Sequence, residues 1–272
     1  MQALAAQRGW DAALWQLAWS ANMFRLRCGH LHDNATAWLA AVAAADRTSA
    51  PGVRAACRLN LGQTLTDLDR IEEAREHLTR GLTLAEQADD TRTAAWIHSC
   101  LAQTWAPQGD NREAVAHATD ALELCRALDR PRDIALALGN LGWFQAQLGE
   151  YADARSSCED ALALVRQLSL REGGEAETLD SLGYIAHHTG DFADAVRYFQ
   201  EALDLARDIG NANLEAEVLD HIAETRTALR QPAEARQAWE RAAELFRTQF
   251  RLTEAERVER RLRETPPTTV RG

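Results

Sequence analysis

The sequence predicts an all-α protein, a solenoid of antiparallel helix pairs in repeats of about 40 residues. Three observations predict it. Small residues recur at Gly62, Ala102, Gly142, Gly183 and Ala223, in steps of 40, 40, 41 and 40 residues. An alanine follows each of them at a fixed distance (Ala74, Ala114, Ala154, Ala195 and Ala235), and a further small residue follows that (Gly81, Ala121, Ala161, Ala202 and Ala242). The composition is 46% hydrophobic with 6% aromatic residues, and the apolar share is mostly Ala and Leu, which favour helix.

The stretch Leu179–Arg207 shows what one repeat contains. One amphipathic helix carries Leu179, Leu182, Gly183 and Ala186, a second carries Ala195, Phe199, Ala202 and Leu205, and Gly190-Asp191 marks the turn between them. Apolar residues three and four apart put one stripe on each helix. Gly183 and Ala195 sit where the two axes come closest, since a larger side chain there pushes them apart. A large apolar knob precedes each reference residue, at Leu61, Leu101, Leu141, Leu182 and Ile222.

In chain order, residues 1–48 read as a divergent, Trp-rich helix pair, with Met23, Ala35 and Val42 in the three small-residue positions. Trp10, Trp15, Trp19 and Trp38 give it a heavier apolar face, as expected where a terminal unit caps a stack or another domain packs on it. Ser49-Ala50-Pro51-Gly52 breaks the chain. Residues 54–248 hold five repeats, with short connections at Ala88-Asp89-Asp90, Asp129-Arg130-Pro131, Glu172-Gly173-Gly174 and Gly210-Asn211. Residues 249–265 read as a solvated capping helix rich in Arg and Glu, and residues 266–272, opening on Pro266-Pro267, as a disordered tail.

Charge and composition exclude several functions. A net charge of −11 and a pI near 5.2 argue against direct nucleic-acid binding, which needs clustered cations. No run of 18 apolar residues suits a membrane, and no secretory leader is read at the N-terminus, so a cytoplasmic protein is expected. Cys28, Cys57, Cys100, Cys125 and Cys158 are too dispersed for a disulfide framework or a zinc site. All 30 cationic residues are Arg, which reads as codon usage in a GC-rich bacterium. Without Lys there is no GxxxxGK[ST] phosphate loop, and no GxSxG elbow occurs, so neither a cofactor nor catalysis is expected. His187 and His188 diverge by about 100° on a helix, and His30 and His32 lack a ligand pattern with others, so no metal site is expected.

The order of Leu-Gly, an aromatic, Ala, a large apolar residue and Ala resembles the tetratricopeptide repeat over residues 54–245. It departs in its step, which is about 34 residues in that repeat, and in its closing proline position, which holds Glu86, Arg126, Arg166, Arg207 and Arg247. Gly9-Trp10-Asp11, Trp15-Gln16-Leu17-Ala18-Trp19, Arg27-Cys28-Gly29-His30, Asp180-Ser181-Leu182-Gly183-Tyr184 and His187-His188 also resemble the C-terminal repeat region of actinobacterial SARP/AfsR-like and NB-ARC (STAND-type) regulators. The resemblance implies a right-handed superhelix whose first helices line a concave groove. It also implies a non-catalytic sensor or interaction arm of a transcription regulator. The DNA-binding and nucleotide-binding domains of those regulators are not read in this sequence, and their activities do not carry over.

Groove candidates follow from that register. Asn60, Cys100, Asn140, Ser181 and His221 lie two positions before the reference, and Gln63, Gln103, Trp143, Tyr184 and Glu224 one after. Amides hydrogen-bond an extended backbone both ways, and aromatics hold apolar or cationic side chains. Trp96 and His187 share these helices. Glu177, Asp180, Glu217, Asp220 and Glu224 make the C-terminal half acidic, so it is expected to prefer a basic protein or peptide, or other domains of its own regulator. A second reading has Trp96, Trp105, Trp143 and Tyr184 lining a pocket for a small molecule or a signalling peptide.

Overall fold

The structure, a computed structural model, describes residues 5, 8–27, 30–48, 50–169, 174–249 and 251–264. Thirteen α-helices and no strands occur among them. They are α1 (Asp11–Arg27), α2 (Leu31–Thr48), α3 (Pro51–Asp67), α4 (Ile71–Gln87), α5 (Thr91–Trp105), α6 (Asn111–Ala127), α7 (Pro131–Leu148), α8 (Tyr151–Gln167), α9 (Glu175–Thr189), α10 (Phe192–Asp208), α11 (Ala212–Ala228), α12 (Pro232–Thr248) and α13 (Leu252–Glu264). The chain forms two compact units, Met1–Ala137 and Leu138–Gly272. Residues 266–272, expected to be disordered, lie outside the described residues.

The repeat register is the packing register. Ala74, Ala114, Ala154, Ala195 and Ala235 are all 0% exposed. A β-carbon added at Gly62 would lie 2.5 Å from Leu78, at Gly142 2.4 Å from the Cys158 Sγ, and at Gly183 2.5 Å from the Phe199 ring. Bare backbone therefore receives a side chain from the second helix of the same pair. That contact is why the reference position stays small. In the N-terminal pair Ala35 and Val42 are buried as the register requires, and the Met23 side chain lies outside the described residues.

Turns reuse one conformation. Asp69, Gly109, Gly149, Gly190 and Arg230 end the first helices with positive φ, the left-handed cap that releases the chain into its second helix. Asp90 and Asn211 open α5 and α11 by accepting from the amides of Thr93 at 3.0 Å and Leu214 at 3.2 Å. Arg230, at φ 58°, holds a β-carbon where glycine is unstrained. Arg230→Gly is expected to raise stability by about 0.5–1 kcal/mol, the strain relieved exceeding the added freedom of the unfolded chain. Urea denaturation measures it, and a lower midpoint would show that this cap is not strained.

The tryptophan-rich pair buries only part of its aromatic surface. Trp38 is 0% exposed, whereas Trp10, Trp19 and Phe24 are 50%, 56% and 65% exposed. Trp19 rests edge-on against Trp38, with centroids 6.3 Å apart.

Candidate functional site

In the second unit the first helices are α7, α9 and α11, and their shared register sets Asn140, Trp143, Tyr184, His187 and His221 on one face. Trp143 meets Tyr184 edge-on at 5.3 Å between centroids, and Tyr184 meets His221 at 5.9 Å. His188 lies 4.0 Å from the Tyr184 ring and stacks on Tyr151 at 5.8 Å. The His187 Nδ1 is 2.9 Å from the Thr225 Oγ1, a hydrogen bond that ties α9 to α11. Trp143, Tyr184, His187 and Asn140 are all half-buried. The groove register does not reach Tyr151 and Thr225, because they belong to a second helix and to the far end of a first one.

The electrostatics of this face are set inside the chain. Asp180 is buried, and its Oδ1 lies 2.8 Å from the His221 Nδ1. Burial opposes charge on His221, but the Asp180 carboxylate, by its charge and hydrogen bond, outweighs it with help from Glu224 and Asp220 and lifts the imidazole to about 9. His221 is therefore an imidazolium at neutral pH. His187 goes the other way: burial, then the neighbouring His188, push its pKa down. Ser181 is buried too, its hydroxyl donating to the Glu177 carbonyl at 3.0 Å.

Three acids of the patch, Glu217, Asp220 and Glu224, already have arginine partners within the chain. Asp220 is 3% exposed; it accepts from the Trp239 Nε1–H at 2.8 Å and pairs with Arg257 at 2.7 Å and Arg261 at 3.4 Å. Arg261 also pairs with Glu224, and Arg251 with Glu217 at 2.8 Å. The C-terminal helix read as a solvated cap is thus the basic partner of the acidic half, and it buries Ala255 and Val258 in the same core. Of the acids named from the sequence, Glu177 stays exposed, 3.5 Å from the Asn211 amide.

The first unit uses its candidates differently. Asn60 accepts from the Asn22 amide at 3.3 Å and donates to the Ala56 carbonyl at 2.8 Å. It belongs to a network in which the Asn34 amide donates to Asn22 at 2.9 Å and to Thr64 at 3.0 Å, and the Trp38 indole donates to Asn22 at 2.9 Å. Gln63 and Gln103 are exposed, and Trp96 is 41% exposed. Trp105 lies under the Arg75 guanidinium, 3.7 Å from its ring centroid. Trp96 and Trp105 are two and a half turns apart on α5 and point to opposite sides of it.

Burial pushes the thiols of Cys57, Cys100 and Cys158 up to about 12. They are packing groups rather than nucleophiles. No helix among the described residues is long and apolar enough to cross a membrane.

Comparison with known families matches the tetratricopeptide repeat over residues 93–167 and 174–248, and again over residues 54–88. The chain belongs to the tetratricopeptide repeat family. Among solved structures, this tetratricopeptide repeat chain is similar to a Rap protein complexed with Competence and Sporulation Factor. The TM-score there is 0.69 at 15% identity, covering 93% of this chain and 74% of that one. Aspartyl phosphate phosphatase F from Bacillus subtilis is similar at a TM-score of 0.66 and 11% identity, covering 96% and 72%. A signal transduction ATPase with numerous domains and a tetratricopeptide repeat sensor, from Pyrococcus horikoshii, gives 0.65 at 15% identity, covering 90% of this chain and 41% of that one. No curated protein sequence matches.

Proposed function

We propose that this tetratricopeptide repeat chain binds a peptide or protein segment on the first-helix face of its second unit, as the sensor or interaction arm of a bacterial transcription regulator. The observation that carries the reading is the Trp143–Tyr184 pair, left half-buried on that face where the first unit carries the exposed Gln63 and Gln103. Large, rigid aromatics contribute contact area at low cost in side-chain freedom, which is why they dominate binding hot spots. Asn140 and His187 flank the pair as hydrogen-bonding groups, and the exposed Glu177 extends the face. Because Asp220, Glu217 and Glu224 are occupied by arginines, apolar and backbone contacts select the partner and a basic charge does not. Support from outside the chain is that a Rap protein of similar fold is complexed with Competence and Sporulation Factor and that the Pyrococcus ATPase uses such repeats as a sensor.

The test is selection of a displayed peptide library on the purified chain, followed by affinity measurement on Asn140→Ala and Trp143→Ala. Peptides selected by the wild type are expected to lose at least about tenfold in affinity for Trp143→Ala, equivalent to the 1.4 kcal/mol of a modest hot spot. Equal affinity of every selected peptide for both variants would remove the assignment of this face.

A further inference from the structure

We propose that His98, His117 and Asp120 in the first unit form a binding site for a divalent first-row transition ion, with Zn²⁺ the best suited. His98 lies on α5, and His117 and Asp120 lie one turn apart on α6, so both helices of one pair contribute. The two Nδ1 atoms are 3.1 Å apart, the His98 Nδ1 is 3.4 Å from the Asp120 Oδ2, and the three ligand atoms all fall within 4.8 Å of one another. Ligands about 2.0–2.1 Å from a tetrahedral zinc ion are spaced about 3.3 Å from each other, and the two separations from the His98 Nδ1, 3.1 and 3.4 Å, match that spacing. Two imidazoles and one carboxylate are a ligand set that suits zinc, with one position open.

The repeat itself shows that His98 is unusual. The positions equivalent to His98 hold Leu138, Leu179 and Leu219, all buried, and Arg58, whose guanidinium pairs with Asp46 at 2.7 Å. A histidine at a leucine position loses packing and must satisfy a ring nitrogen, so it calls for a partner beyond the apolar core. His117 supplies one by a hydrogen bond between the two Nδ1 atoms, and a shared ion satisfies both nitrogens at once. His98 and Asp120 also line a cleft of about 410 Å³ together with Glu86, Asp89, Asp90 and Glu123, so the open side faces carboxylates that favour a cation.

Titration of the untagged, metal-free full-length chain with Zn²⁺, and with Co²⁺ read by its visible absorption, is expected to give one saturable site. His98→Leu restores the residue that three other repeats carry and so keeps the fold. It and Asp120→Asn are each expected to weaken binding at least about tenfold, while His30→Ala/His32→Ala binds as the wild type does. Zn²⁺ is expected to raise the melting temperature of the wild type and not of His98→Leu. Absence of a saturable site, or affinity unchanged in both His98→Leu and Asp120→Asn, would overturn the proposal.

Discussion

Gly183→Val is expected to lower the unfolding free energy by about 3 kcal/mol, the upper range for overpacking a well-filled contact. Even a methyl at this position meets the Phe199 ring at 2.5 Å, and Phe199 is 1% exposed with no room to retreat. A branched side chain therefore separates α9 from α10 or drives Phe199 out of the core. Urea denaturation should show a lower midpoint at unchanged slope. The decisive comparison is the pair Gly183→Val/Phe199→Ala. Because the second change removes the obstructing ring, the double variant is expected to be more stable than the sum of the single effects by about 1–2 kcal/mol. Strict additivity would mean that the glycine is not small for the sake of this contact. A control is built into the sequence, since Ala118 stands opposite Ala102 at the same register.

Raising the pH from 6.5 to 9 is expected to remove about 2 kcal/mol of stability through His221 alone. The sign follows from the direction of its shift. The folded state holds the proton to about 9, above the ordinary histidine value of about 6.5. The stabilisation is therefore fully present below pH 6.5 and is lost as pH rises through 9. Asp180 on α9 and Glu224 and Asp220 on α11 favour the charge, while Arg257 and Arg261 on α13 already draw on Asp220 and Glu224. The side chain retains 20% exposure, so part of the interaction is screened and the figure stays below what the full shift implies. A ring-proton NMR titration should place the His221 midpoint near 9. In Asp180→Asn the largest favourable charge is gone and burial governs, so the midpoint should drop below 6.5 and the alkaline loss of stability should flatten. An Asp180→Asn midpoint equal to that of the wild type would show that the Asp180 pair carries no charge coupling.

These two predictions lie on opposite sides of what the sequence makes legible. The glycine at 183 is readable because its partner lies within the same repeat and the same juxtaposition recurs along the chain, at Gly62 with Leu78 and at Gly142 with Cys158. The state of His221 is not readable, because Asp180 and His221 differ by 41 positions and meet only when α9 and α11 lie side by side. The same holds for the acidic half. Glu217, Asp220 and Glu224 form a charge run in the sequence, and a charge run on a helix normally faces solvent. They are instead matched by Arg251, Arg257 and Arg261, whose own segment reads as a solvated cap.

The binding face divides in the same way. Trp143 and Tyr184 are found by register alone, and the structure adds that they touch each other and that His188 and Tyr151 continue the ring stack. Asn60, from the same register, is drawn into a network with Asn22, Asn34 and Thr64 that no spacing rule announces. His98 and His117 escape a motif search because they stand on different helices of the pair and join only across its seam.

The sequence by itself therefore determined the repeat, its step, its helix pairs and the positions that must stay small, because these rest on contacts within one repeat that recur along the chain. Only the tertiary structure decided which polar side chains are free to bind and which hold the chain together. That depends on partners a full repeat away, or on the facing helix, whose charges and hydrogen bonds no local period encodes.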